Sequence, residues 1–227
     1  MRHFAFLALA ATLAFAVPVA ADPRLTAHDL DASQILPPPP TSPDVELKEL
    51  HAIADKSSAD DLALATRDAN DQSGAFYVTV LGPNFDLAKL PKTAKVLADV
   101  HDTDEAVAKP AKDFFHRERP YAADPTLKTC TVVKPGTPTN TSYPSGHSIN
   151  GYSEGVILAA LLPAKAQTIL GRARQYAENR LVCGMHYRSD IVAGEALGTA
   201  IALKLEQNPD FAAEMAAARA ELAAAGL

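Results

Sequence analysis

Four consecutive prolines, Pro37 to Pro40, divide the chain into two parts that must fold differently. Proline fixes φ and carries no N–H, so LPPPPTSPD, from Leu36 to Asp44, favours an extended polyproline conformation and excludes helix there. Beyond it the pattern is mostly helical, starting with VELKELHAIAD. Asp102 with Glu105 resembles a capping box opening TDEAVAKPAKDFFHRE, and Pro163 stands where a first-turn proline would open AKAQTILGRARQYAENRLVC. Ser189 or Asp190 can cap DIVAGEALGTAIALKLEQN, and Asn208–Pro209 breaks that helix before a last Ala-rich one. Abundant alanine and the absence of tryptophan also favour helices over a sandwich or barrel. GAFYVTVLG, Gly74 to Gly82, reads by itself as a strand, but it has no partner strand and is assigned to helix or irregular structure. The expected fold is an all-α, single-domain helical bundle over residues 45–227, preceded by an extended Pro-rich arm over residues 22–44 that wraps on it.

Residues 1–21 read as a cleavable leader. MRH supplies a basic start, FAFLALAATLAFAV an apolar centre, and Val19-Ala20-Ala21 a small-residue cleavage site before Asp22. The run is short and Pro18 breaks its end, which argues against a membrane anchor. No later stretch is apolar enough for long enough to span a bilayer, so no stable membrane insertion is expected and the mature protein is placed in the periplasm or outside the cell. In an oxidising compartment two cysteines allow one intramolecular pairing, Cys130 with Cys183. Closing a loop of that length stabilises a fold by roughly 4 kcal/mol in the chain-entropy picture. The net charge of −6 gives no footprint for nucleic acid, so clusters of positive charge stand out against it.

Three such stretches carry chemistry. KDFFHRERP holds Lys112, His116, Arg117 and Arg119; a cluster of this kind is usually a solvated helix face, but Pro120 disfavours helix at Arg119 and moves that side chain into a turn. In SYPSGHS, Pro144 and Gly146 turn the chain, Ser145 can cap a helix, and His147 falls at a helix start, where free N–H groups and the helix dipole favour anions. In the third, Ile169, Ala173 and Tyr176 form one helical stripe with Arg180 in its middle. A guanidinium facing a core needs a counter-charge, which either an internal carboxylate or a bound anion would supply. Downstream, His186 and Asp190 lie four apart, so the carboxylate can accept a hydrogen bond from one ring nitrogen and leave the other free.

Taken in order, K-x6-RP, PSGH and R-x5-H-x3-D resemble the tripartite signature of the type 2 phosphatidic acid phosphatase and vanadium haloperoxidase superfamily. The match is most similar to its soluble branch, the class A bacterial non-specific acid phosphatases, with LPPPP, SYPSGH, a cysteine between the first two motifs and Cys183-Gly184 before His186 adding to the resemblance. One departure is Asn179, where the family usually has serine before the third-motif arginine.

The resemblance implies a helical bundle of the acid phosphatase/vanadium haloperoxidase type and hydrolysis of small phosphomonoesters with broad specificity. It implies His186 as nucleophile, Asp190 as the group orienting it, and His147 as general acid and then base. Lys112, Arg119 and Arg180 would bind the phosphoryl oxygens, with the Ser145 hydroxyl and the Gly146 N–H completing the cradle. No metal or other cofactor is implied; phosphate or vanadate would bind as an inhibitory oxyanion. Self-association into homo-oligomers is common among helical phosphatases of this kind and is left open, as is a phosphotransferase side activity. The competing readings are a vanadate-holding oxidoreductase, a lipid phosphatase, and a phosphate-binding protein without turnover.

Overall fold

A computed structural model describes residues 23–227 of the chain, so the leader assigned to residues 1–21 lies outside the described residues. The elements are α1 (Ala32–Ile35), α2 (Asp44–Lys56), α3 (Ala59–Ala69), α4 (Val78–Leu81), α5 (Pro91–Phe115), α6 (Pro120–Ala123), α7 (Gly146–Leu161), α8 (Ala166–Val182), α9 (Arg188–Leu205) and α10 (Pro209–Ala224). The described residues contain no strand. GAFYVTVLG forms a 3-10 turn, Ala75–Tyr77, that runs into α4 between two positive-φ glycines, Gly74 and Gly82.

Helix α7 is the centre of the bundle and packs against α5, α8 and α9, while α10 and α1 close on α5 and α3 and α2 close on α8. The core joins Ile149, Ile157 and Leu158 of α7 to Leu197, Ile201 and Leu205 of α9, and to Val96, Val100 and Val107 of α5. Ile169, Ala173 and Tyr176 of α8 are buried as the helical stripe requires, and Arg180 is buried with them. The segment before α2 lies on this body. Leu25 and Leu36 are buried, Arg24 pairs with Asp99 and Glu214, and the Tyr143 hydroxyl donates to the Pro37 carbonyl at 2.6 Å. One helical turn, α1, interrupts the extended conformation just before the prolines. Cys130 and Cys183 are disulfide-bonded across 53 residues and tie the loop after α6 to the end of α8.

Two helix starts differ from those read in the sequence. Asp102 and Glu105 open nothing: α5 begins at Pro91 and continues through them to Phe115, with Pro110 inside it. Thr93, Val96, Val100 and Thr103 are buried in one face of that helix, so packing extends it past a local cap signal. Helix α9 begins at Arg188, with Tyr187 and not Ser189 or Asp190 at the cap position, and Asp190 completes a capping box from inside the first turn. Asp190 is its third residue, and its carboxylate accepts from the Tyr187 N–H at 2.8 Å. Two other starts agree with the sequence. Pro163 opens a 3-10 turn leading into α8, and Asn208 Oδ1 caps α10 by accepting from the Asp210 and Phe211 N–H groups.

Helices α7 and α9 approach closely where Gly198 lies against backbone. A Cβ there would stand 2.3 Å from the Ile149 carbonyl oxygen and 3.0 Å from the Ser153 nitrogen. Gly198→Ala is therefore expected to destabilise the protein by about 1–3 kcal/mol through overpacking, read as a lower urea midpoint at unchanged slope. Gly171→Ala, on an open face of α8 where a Cβ meets nothing within 4 Å, is expected to raise the midpoint.

Candidate active site

The third motif is delivered by a turn. Helix α8 ends at Val182, Gly184 adopts a left-handed φ of 65°, and His186 is carried back into the bundle, where it is 1% exposed. Its Nδ1 lies 2.8 Å from the Ser142 carbonyl oxygen. A carbonyl only accepts, so Nδ1 holds the proton and Nε2 keeps its lone pair. That lone pair faces Arg119, whose Nη1 lies 3.0 Å away. The pairing of His186 with Asp190 expected from their spacing is present but long, at 3.4 Å, and the main acceptor is the Ser142 carbonyl. The reason is competition: Asp190 also accepts from the Ser142 hydroxyl at 2.6 Å, the Tyr187 N–H at 2.8 Å and Arg117 at 2.5 Å.

Three cations converge on this imidazole from different elements. Lys112, in the last turn of α5, donates to the Thr141 and Pro144 carbonyls at 3.0 and 2.5 Å. Arg119, extended ahead of Pro120, donates to the Met185 and Thr141 carbonyls and leaves its Nε unpartnered. Arg180, 3% exposed, leaves both Nε and Nη1 unpartnered. Among the described residues none of the three is in an ion pair with a carboxylate. Asp68 on α3, the obvious candidate for Arg180, is occupied by Arg172 at 2.5 and 2.9 Å and by the Asn179 amide at 2.6 Å. Asn179 therefore works one step back from the cavity, holding α3 to α8.

Burial without a counter-charge shifts these groups. Burial, reinforced by the charges of Arg119 and Arg180, lowers Lys112 to about 7, and burial lowers Arg180 to about 10. Burial, then Arg119, Arg180 and Lys112, push His186 well below the usual histidine range. His147 is pushed the same way by burial, Arg180 and His186. Both imidazoles are neutral beside an uncompensated positive field. Such an arrangement can hold a multiply charged tetrahedral anion.

The second motif contributes Gly146 and His147 to the cavity wall, at the start of α7. Ser145 is fully buried beside them, and its Oγ caps the helix by accepting from the Ser148 N–H at 3.4 Å and hydroxyl at 3.0 Å. Both contacts use Oγ as acceptor, so the hydroxyl keeps its own proton to donate. His147 Nε2 lies 3.2 Å from the Ala69 carbonyl, on the end of α3 that Asp68 secures.

Residues 103–209 match the PAP2 superfamily. That match covers 107 of the chain's 227 residues. It is 35% identical to an acid phosphatase of Zymomonas mobilis over 164 residues, covering 70% of this chain and 62% of that protein. It is 25% identical to a non-specific acid phosphatase of Providencia stuartii, covering 86% of this chain and 82% of that protein. The fold is similar to that of a transmembrane PAP2-type phosphatidylglycerolphosphate phosphatase of Bacillus subtilis, with a TM-score of 0.52 and 17% identity over 76% of this chain and 87% of that one. No described helix of the present chain is long and apolar enough to cross a membrane.

Six of the signature residues, Lys112, Arg119, Gly146, His147, Arg180 and His186, line a cavity of about 530 Å³, together with Gln72, His101, Asp104 and Asn150. That is ample for a phosphoryl group and a small leaving group. Four residues of the site were not found by sequence reasoning. Ser142 opens the quoted segment SYPSGHS but was given no role there; Arg117 was read as part of a solvated face but is 8% exposed. Glu46, which pairs with Arg117, and Asp68 carry no local signal, because their partners are 71 and 104 residues away.

A dianion entering the cavity favours the protonated forms of Lys112 and His147. Both are lowered by burial and by neighbouring cations, so binding of an anion raises them and takes up protons. At pH 7.5, above the value of about 7 for free Lys112, inorganic phosphate is expected to bind with net proton uptake. Calorimetry in buffers of different ionisation enthalpy measures this directly, and Lys112→Met should reduce the uptake.

Proposed function

We propose that this protein is an exported acid phosphatase that hydrolyses small phosphate monoesters through a phosphohistidine intermediate without a metal ion. The observation that carries the reading is the state of His186: its Nδ1 proton is held by the Ser142 carbonyl, its Nε2 lone pair faces Arg119, and Lys112 and Arg180 line the same cavity, none of the three paired with a carboxylate among the described residues. The relatives named acid phosphatases support it.

In this reading Nε2 of His186 attacks phosphorus, and the ester P–O bond breaks. His147 gives its proton to the departing alkoxide. Water then attacks, His147 takes its proton, the P–N bond breaks, and phosphate leaves with His186 neutral again. Asp190 balances the positive charge that His186 acquires in the intermediate. Lys112, Arg119 and Arg180 offset the charge spread over the equatorial oxygens, and the Gly146 N–H adds a donor at the helix start. Ser145 acts through the cap that sets the course of α7. His147 needs its proton for the first step, and the substrate's own negative charge restores it against burial. Fixed cations supply the charge stabilisation for which other phosphatases use metals. Vanadate and phosphate are inhibitors by the same chemistry. The leader read in residues 1–21 and the Cys130–Cys183 disulfide support export to the periplasm or beyond.

The mature protein is expected to hydrolyse a chromogenic phosphomonoester with a bell-shaped pH profile, unaffected by EDTA. His186→Ala should lower kcat by at least about 10³-fold and abolish the acid-labile phosphoenzyme trapped in wild type. Activity that EDTA removes, or that His186→Ala retains, would reject the mechanism.

A further inference from the structure

Arg117 lies outside the cavity that holds Lys112, Arg119 and Arg180, yet it touches every group that fixes the back of His186. Its Nη1 donates to Asp190 Oδ1 at 2.5 Å and to the Ser189 hydroxyl at 2.6 Å. Its carbonyl accepts from the Ser142 N–H at 3.0 Å, and Ser142 supplies the carbonyl that holds Nδ1. Its guanidinium stacks over Tyr187, 4.1 Å from the ring centre. Glu46, on α2, closes the arrangement. One oxygen accepts from Arg117 Nη2 at 2.6 Å, and the other accepts from the Ser189 N–H and hydroxyl at 2.7 and 2.8 Å.

We infer that Arg117 and Glu46 are positioning residues for His186, with Arg117 fixing Asp190 and Ser142 and Glu46 setting the charge that Asp190 presents to the imidazole. Arg117 alone would neutralise Asp190. With Glu46 included, the three formal charges sum to one negative, which remains available to the imidazolium formed when His186 is phosphorylated. The other charged or titratable groups facing His186 are Lys112 from α5, Arg119 ahead of α6, His147 from α7 and Arg180 from α8. All but His147 are cations that oppose a positive imidazole, so the negative charge behind it has no substitute. The inference rests on the phosphohistidine reading above and adds α2, distant in sequence, to the machinery.

The test uses the full mature protein and three variants. Glu46→Gln removes a negative charge while keeping hydrogen-bonding groups, so the acid limb of the kcat profile should move to lower pH. Arg117→Met removes a positive charge, so the same limb should move to higher pH, each by about half a unit or more. Arg117→Met should also lower kcat by about 10- to 100-fold with KM within about threefold, and Arg117→Lys should recover part of the loss. A shared structural defect would move both limbs the same way or neither, and that result overturns the inference. A second readout needs no turnover: ¹⁵N shifts of the His186 ring at neutral pH. Wild type and Glu46→Gln should show the single Nδ1–H tautomer and Arg117→Met a mixture. If wild type hydrolyses no phosphomonoester, the function above fails while this arm still decides the positioning, and an unchanged tautomer in Arg117→Met sinks it.

Discussion

The Asp190 carboxylate has no exposed surface and sits where segments distant in sequence meet. It accepts from the backbone at the start of its own helix, from the Ser142 hydroxyl in the loop before α7, and from Arg117 after α5. A buried carboxylate must fill its acceptor sites or be neutralised, and a guanidinium, a hydroxyl and an N–H fill them from three directions. The same contacts fix the register of the loop whose carbonyl holds His186. Without this node the motifs would remain near one another, because the α7–α9 packing is independent of it, but the imidazole would lose its defined tautomer.

On the other side of that imidazole the balance is reversed. Lys112, Arg119 and Arg180 are held by carbonyls and by packing, with no carboxylate to compensate them among the described residues. Burying unpaired charge costs several kcal/mol per group, and a fold optimised for stability alone would add a counter-ion. Asp68 could have served Arg180, but Arg172 and Asn179 hold it. The apolar stripe of α8 keeps Arg180 inside, and the pairing of Asp68 elsewhere keeps it unpaired. That deficit lowers Lys112 and both histidines, and a phosphate dianion would relieve it. The electrostatic cost of burying these cations and the oxyanion binding proposed for the site therefore have one origin.

Much of this was legible in the sequence, for identifiable reasons. Helix content follows from alanine, leucine and proline spacing, and the Arg180 stripe from a 3.6-residue period. The three motifs were recognised by type and spacing, which survive translation into structure because each spans no more than one helix end, a short connection and the next helix start. The failures share a cause. Asp102–Glu105 has the composition of a helix start, yet buried residues on both sides of it keep α5 continuous. Arg117 and Glu46 were missed because whether a charge is solvated or paired is decided by tertiary contact, which periodicity does not report.

The similarity of fold to a transmembrane phosphatase bears on what this helical fold requires of its outer surface. Here the charged groups converge inside the bundle, between α5, α7, α8 and α9, and are reached through a cavity. Their positions depend on helix–helix packing and on buried pairs such as Asp190–Arg117 and Asp68–Arg172. None of these contacts involves the outward faces of the helices. Those faces can therefore vary between water-facing and lipid-facing sequences without disturbing the centre, provided the close approaches survive, as at Gly198 against Ile149. The fold then constrains the outer surface weakly and the interior strongly.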